Sequence, residues 1–173
     1  MFDITDGATN ALAYDGAKRV IHDVLRAQHG QDAVIRRPIS AQITIPSWQP
    51  ASYVAGIAAA RTLAAFAHQL MRDYARKARG EGSTWAELAA PLGITPDHNG
   101  TTDPAEAAFL AVAGKSPRRF DTPTVSWTCT SCDRTITDRG PYNGHPADNE
   151  TGHTTSCGRH NTEITHYMAE LDA

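Results

Sequence analysis

The sequence predicts a mainly α-helical protein with one short β element and a small metal-stabilised module at its C-terminal end. Apolar residues recur at helical spacing through most of the first 113 residues, which predicts a helical domain over 1–114. All three cysteines lie after residue 128, which predicts a metal-binding module with a C-terminal helix over 125–173. Between the two, the composition shifts towards Ser, Pro and Arg, so 115–124 is expected to be a linker.

Two long helices with a strand between them are predicted for the first 80 residues. Apolar residues follow helical spacing from about residue 9 to 29 and from about residue 50 to 79. Between these helices, residues 39–45 alternate apolar and polar side chains, which predicts an edge strand bracketed by prolines, with 34–37 as its nearest partner. The second helix carries one apolar stripe, for which core packing is the expected role: Ala59, Ala60, Leu63, Phe66, Ala67, Leu70, Met71 and Tyr74.

Two shorter helices are indicated by their N-terminal signals. Ser83 or Thr84 can cap the first of them, and Glu87 lies three residues after Thr84, as a capping box requires. Asp103 followed by Pro104 marks the start of the second helix. The first of them is expected to pack on the long preceding helix through Trp85, Leu88 and Leu92.

The cysteines and histidines of the last 50 residues predict a metal site. Cys129 and Cys132 are separated by two residues, so a tight turn brings both thiolates to one tetrahedral ion. Cys157 is the natural third ligand, and an odd, clustered set of cysteines favours metal over disulfides. A redox pair would leave Cys157 unexplained, and no thioredoxin-like pattern surrounds Cys129. The expected cofactor is Zn²⁺ in a closed, structural site.

The fourth ligand has three candidates in the sequence. His153 lies four residues before Cys157, and His160 lies three residues after it, so either can share a helical face with that cysteine. His145 is a third and less favoured choice. We favour His153, because a helix is expected over 154–171 and His153 would lie at its start.

The segment 82–94 resembles part of a helix-turn-helix. From Trp85 to Ile94 it has the pattern W-A-E-L-A-x-x-L-G-I, which looks like that of many actinobacterial transcription regulators. The resemblance implies a tri-helical core at 83–113, DNA binding and, by analogy, a homodimer. The sequence departs from the pattern at 95–102, where a recognition helix would begin, because this stretch is turn-rich and contains no Arg, Lys or Gln. The helix-turn-helix is therefore expected to be degenerate.

Charge and hydropathy limit the partners. The formal net charge of −3 argues against coating nucleic acid with the whole surface, but local basic groups can still bind phosphate. The expected nucleic-acid-binding residues are Lys115, Arg118, Arg119, Arg134 and Arg139. No apolar run is long enough for a membrane span and the N-terminus lacks the features of a secretory signal, so a cytoplasmic protein without a membrane partner is expected.

Three functions are consistent with these features. The favoured one is a small cytoplasmic DNA-binding transcription regulator with a structural zinc site. The first alternative is a zinc-stabilised adaptor that binds another protein through the loop at 138–146, which carries Arg139 and Tyr142. The second alternative is a zinc-dependent hydrolase using His145, Asp148 or Glu150, although no H-E-x-x-H signature is present.

Overall fold

A computed structural model describes residues 4–40, 42–95, 103–114, 123–142 and 144–172. The chain divides into two compact units, unit 1 over Met1–His68 and unit 2 over Gln69–Ala173. This division differs from the expected one, because the boundary lies within a long helix rather than at 115–124. Residues 115–122 of the expected linker lie outside the described part of the chain.

Unit 1 contains a long helix, a short 3₁₀ turn, a β-hairpin and the start of a second long helix. The helix α1 spans Ile4–His29, and the 3₁₀ turn spans Gln31–Ala33. The strands β1, Val34–Pro38, and β2, Pro46–Pro50, pair antiparallel with Arg36 opposite Trp48. The helix α2 begins at Tyr53 and ends at Glu81, beyond the boundary of the unit.

The prediction of a strand at 39–45 is wrong. The described residues of this segment, 39–40 and 42–45, lie in the loop between β1 and β2, whereas 34–37, expected as the partner, is indeed a strand. Ser40 organises the loop, because its hydroxyl accepts hydrogen bonds from the backbone amides of Gln42 and Ile43 at 3.3 and 3.1 Å. The isoleucines at 39, 43 and 45 are exposed, so their alternation does not correspond to a buried sheet face. Residue 41 lies outside the described residues.

Unit 2 combines the end of α2 with three further helices, one short helical turn and a small sheet. Its remaining helices are α3 (Trp85–Ala89), α4 (Pro104–Ala113), α5 (Pro146–Asn149) and α6 (Gly158–Leu171). Its strands are β3 (Val125–Thr128), β4 (Thr135–Asp138) and β5 (Glu150–Thr151), which form an antiparallel sheet in the order β3-β4-β5. None of the described helices of the protein has the length and apolarity of a membrane span.

The predicted helix caps of unit 2 are confirmed. The Thr84 hydroxyl accepts a hydrogen bond from the Glu87 amide, and the Glu87 carboxylate accepts one from the Thr84 amide at 2.7 Å, which completes the capping box. The Asp103 carboxylate accepts a hydrogen bond from the Ala105 amide at 2.9 Å, with Pro104 in the first turn. Both helices therefore begin where the sequence predicts.

One hydrophobic core spans the helices and the sheet of unit 2. Trp85 of α3 packs against Phe109 of α4 with a T-shaped ring contact at 5.3 Å. The same cluster contains Trp127 of β3 and Ile136 of β4, together with Ala75 of α2. The segment expected to resemble a helix-turn-helix and the module expected to bind metal therefore share their core.

The apolar stripe of α2 is not core along most of its length, which corrects the prediction for it. Ala59 is buried in unit 1, but Phe66, Leu70, Met71 and Tyr74 are exposed in the described structure. Periodicity alone predicted core packing for all of them. Small residues of α2 make buried apolar contacts instead, with Ala59 in the core of unit 1 and Ala75 in that of unit 2.

Replacing a helix glycine by alanine should have opposite effects at two positions. Gly80 in α2 lies against the sheet, where its carbonyl accepts hydrogen bonds from Thr130, and a Cβ there would clash with the Thr128 carbonyl oxygen. Gly80→Ala should therefore lower the free energy of unfolding by about 1–3 kcal/mol. Gly16→Ala in α1, where a Cβ meets open space, should raise it by about 0.5–1 kcal/mol.

Urea unfolding followed by circular dichroism measures both changes. Gly16→Ala is the matched control, since it is the same substitution within a long helix. A stabilising Gly80→Ala would contradict the close approach of α2 to β3.

Candidate metal centre

The first half of the centre is the turn between β3 and β4. The Cys129 amide donates a hydrogen bond to the Arg134 carbonyl at 2.9 Å, and the Asp133 amide donates to the Cys129 carbonyl at 2.8 Å. Asp133 has a φ of 54°, in the left-handed region that Asp and Asn tolerate better than most residues. This turn holds Cys129 and Cys132 on the same side of the hairpin end.

The second half is a loop that leads into α6. Gly152 has a φ of 110°, and a Cβ there would lie 2.8 Å from the Thr135 carbonyl oxygen, so a glycine lets the chain pass close to β4. His153 follows, and Cys157 is the N-cap residue of α6. The helix was expected from residue 154 but begins at Gly158, so Cys157 rather than His153 lies at its start. The positive end of the α6 dipole therefore faces the cysteines, where it favours negative charge.

Four side chains converge between these two halves. The Sγ atoms of Cys129 and Cys157 are 3.8 Å apart, and the Sγ atom of Cys132 lies 3.6 Å from Nδ1 of His153. The four ligand atoms all lie within 4.8 Å of one another, so the cluster could hold a metal ion. Cys129 and Cys157 are buried, and the other two residues are half-buried. This set is the one favoured from the sequence.

The other two histidine candidates have different surroundings. The His160 ring stacks flat on the His153 ring, with centroids 4.3 Å apart and planes 14° apart. Its buried Nδ1 has no hydrogen-bond partner among the described residues and lies 4.0 Å from a Glu150 oxygen. Nδ1 of His145 instead accepts a hydrogen bond from the Ala147 amide at 3.2 Å and so caps α5. His160 therefore packs against the ring of His153, and His145 caps α5.

The cysteine environments differ in how well they stabilise a thiolate. A hydrogen bond from the Thr154 amide is the main cause that lowers the pKa of Cys132 to about 6, with His153 contributing in the same direction. Burial raises the pKa of Cys129. Because metals bind the thiolate, Cys132 offers an ionised sulfur at neutral pH, whereas Cys129 requires the ion itself to displace its proton.

Glu150 contacts a candidate ligand without being one itself, and this role was not predicted from the sequence. Nε2 of His153 donates to Oε2 of Glu150 at 3.0 Å, which leaves Nδ1 free to face the cysteines. Arg79 pairs with the other oxygen, and Arg159 donates to both oxygens at 3.1 and 3.2 Å. Burial raises the pKa of Glu150, but Arg79, Arg159 and the hydrogen bond with His153 together lower it by more, so the pKa lies below its ordinary value.

Asp138 extends these contacts to α3 and β3. Its Oδ2 accepts hydrogen bonds from the indole N–H groups of Trp85 at 2.9 Å and Trp127 at 3.1 Å, and it pairs with Arg79 at 3.3 Å. Its Oδ1 accepts from the Gly140 amide at 2.8 Å. A continuous chain of polar contacts therefore runs from His153 through Glu150, Arg79 and Asp138 to Trp85. No local sequence signal marks these residues as partners.

The residues expected for the other functions are placed as follows. Arg134 and Arg139 are exposed on either side of β4, while Lys115, Arg118 and Arg119 lie outside the described residues. Asp148 is exposed, and Glu150 is held in buried ion pairs rather than facing solvent.

No family model, curated protein or solved structure matches this chain.

Substituting the two neighbouring histidines should distinguish a ligand from a supporting residue. Loss of a residue that hydrogen-bonds to a metal ligand typically weakens metal binding by ~10–100-fold. His153→Ala should weaken it by more, because a donor atom is lost. His160→Ala is the matched control and should lose much less affinity, because it removes a stacked ring and no donor atom. Titration with Co²⁺ as a spectroscopic probe measures both affinities. The reverse order of effects would identify His160 as the fourth ligand.

Removing the charge of Glu150 should weaken metal binding without removing a ligand. Glu150→Gln should lower the affinity for Co²⁺ by about 10–100-fold, since His153 loses the carboxylate that orients it. Glu163→Gln is the matched control, because Glu163 pairs with Arg159 at 3.0 Å, and its affinity should be close to that of the unmodified chain. Equal affinities for the two variants would show that Glu150 does not orient His153.

Proposed function

We propose that the chain is a small cytoplasmic transcription regulator whose unit 2 binds DNA and is held together by a structural Zn²⁺ ion. Three thiolates and one imidazole are a common donor set of closed zinc sites. With Zn–S near ~2.3 Å and Zn–N near ~2.0–2.1 Å, a tetrahedral ion separates two sulfurs by about 3.8 Å and a sulfur and a nitrogen by about 3.6 Å. The two donor distances of 3.8 and 3.6 Å match this geometry.

A structural role for the ion is favoured over a catalytic one. Catalytic zinc usually keeps a position open for water or substrate, whereas four protein ligands complete the tetrahedron. The Glu150 carboxylate, which contacts the candidate ligand His153, is neutralised by Arg79 and Arg159. It is therefore already engaged as a support for the ligand.

The packing of three helices around Trp85 carries the DNA-binding part of the proposal. The end of α2, the capped helix α3 and the helix α4 contribute to one core around this indole, which is consistent with the resemblance to a helix-turn-helix. The buried hydrogen bond from Trp85 to Asp138 ties α3 to the strand that leads away from the metal turn. By holding the turn between β3 and β4, the ion would thus stabilise the part of unit 2 to which the DNA-binding helices are attached.

Two exposed arginines supply phosphate contacts in this proposal. Arg134 follows the metal turn, and its carbonyl accepts the hydrogen bond from Cys129, so the ion would fix its backbone. Arg139 lies at the other end of β4, where its amide donates to the Asn149 carbonyl at 2.8 Å. Lys115, Arg118 and Arg119 are the remaining proposed contacts.

Binding of the zinc-loaded chain to labelled genomic duplexes at increasing salt concentration tests the proposal. The affinity should fall steeply with salt, as it does when phosphates are neutralised. In the double variant Arg134→Ala/Arg139→Ala, the slope of log affinity against log salt should be shallower by about 2.

Arg19→Ala provides the matched control, because it removes an exposed arginine from α1 in unit 1. Its salt dependence should equal that of the unmodified chain. Absence of binding at low salt would contradict DNA binding, and an unchanged slope in the double variant would exclude Arg134 and Arg139 as phosphate contacts.

An adaptor is the second candidate function, favoured by a groove of about 440 Å³ within unit 2. Tyr167 contributes aromatic surface to the groove, and Glu163 and Glu170 contribute carboxylates. Carboxylates repel phosphate and match basic side chains of a protein partner. Failure of the chain to bind DNA would leave this groove as the better candidate site.

A further inference from the structure

Unit 1 buries very little apolar surface for its length. Among the described residues, its buried hydrophobic core consists of Leu25, Val34 and Ala59, with partly buried neighbours around them. Burial of apolar side chains is the main term that offsets the conformational entropy lost on folding. A core of this size leaves the folded unit with little stability of its own. Additional burial must come from contacts made by its exposed surface.

An apolar surface on unit 1 is available for such contacts. Tyr14 of α1, Ile39 of the hairpin loop, and Tyr53 and Ile57 of α2 line one groove of about 550 Å³. Val54 lies beside them on α2, and we call these five side chains the unit 1 apolar surface. Each of the five is between 56% and 79% exposed.

The area of this surface is that of a stable protein interface. At about 200 Å² of accessible surface for a tyrosine and less for the smaller Ile and Val side chains, the five residues expose at most roughly 700 Å². A standard interface takes about 800 Å² from each partner. The smaller apolar residues that line the groove, such as Ala17 and Ala60, add to this area.

The chemistry of the surface fits a permanent protein contact. Among the described residues that line the groove, Lys18 is the one Lys, Arg, Asp or Glu, and the cores of interfaces are depleted of charge in the same way. A surface that lies on a membrane typically combines apolar residues with many Lys and Arg residues. The lining of this groove does not have that composition.

We infer that unit 1 is completed by a second copy of this chain, which packs its own unit 1 apolar surface against the first. A twofold arrangement brings the same surface of both chains together, so exposed side chains such as Val54 of one copy can enter the groove of the other. Every copy of the chain carries the same surface, so a matching partner is available wherever the chain is present. This inference goes beyond the proposed function and does not rest on it.

Sedimentation velocity of the full chain loaded with Zn²⁺ tests this inference. The unmodified chain should sediment with twice the mass of one chain, and its unfolding temperature should rise with concentration. Ile57→Asp places a charge in the groove and should weaken association by at least about 30-fold. Ile57 is 69% exposed in the single chain, so α2 itself should tolerate the change.

Met168→Asp is the matched control, because it places the same charge at an exposed apolar position of α6 in unit 2. This variant should remain a dimer, and both variants should keep the helical signal and bind one equivalent of Co²⁺. A monomeric mass for the unmodified chain, or an Ile57→Asp variant that still dimerises, would overturn the inference.

Two further measurements cover the remaining outcomes. If Ile57→Asp precipitates, the unfolding temperature of the unmodified chain is measured at several protein concentrations instead. An unfolding temperature that does not change with concentration counts against a dimer. A monomeric chain that co-sediments with vesicles of phosphatidylcholine and phosphatidylglycerol would assign the surface to lipid and overturn the proposal.

Discussion

The buried carboxylate of Glu150 connects the candidate metal centre to the rest of unit 2. It accepts a hydrogen bond from His153 and pairs with Arg79 of α2 and Arg159 of α6. Asp138 balances the second positive charge by pairing with Arg79. Loss of one member would leave an uncompensated buried charge, which costs about 3–5 kcal/mol. The metal turn, the end of α2 and the start of α6 are therefore stable only together.

Trp85 and Trp127 allow this charged network to be buried. Their indole N–H groups satisfy Oδ2 of Asp138, while their ring faces lie 5.2 and 5.4 Å from the Arg79 guanidinium. Each ring thus excludes water from the arginine and also donates a hydrogen bond to its partner carboxylate. This double use explains how a polar network lies inside the same core as Phe109 and Ile136.

The features of unit 2 that the sequence predicted are local ones. The cysteine turn and the two helix caps depend on residues within four positions of one another, so spacing and residue type are sufficient. Arg79 is 59 residues from Asp138 and 71 from Glu150, and no local pattern joins them. The choice between His153 and His160 depended on the same long-range contacts, because both spacings suit a metal and Glu150 is the residue that orients His153.

Helical periodicity identifies an apolar face but does not say what covers it. In α2, Ala59 is buried, whereas Phe66, Leu70 and Tyr74 of the same apolar stripe are exposed, and Ala75, which lies outside that stripe, is buried. Small residues allow close packing of neighbouring elements, so burial follows the partners rather than the size of the side chain. Unit 2 adds an ion-pair network and a candidate metal site to its core. Unit 1 has neither among its described residues, which is consistent with our inference that a second copy covers its exposed apolar surface.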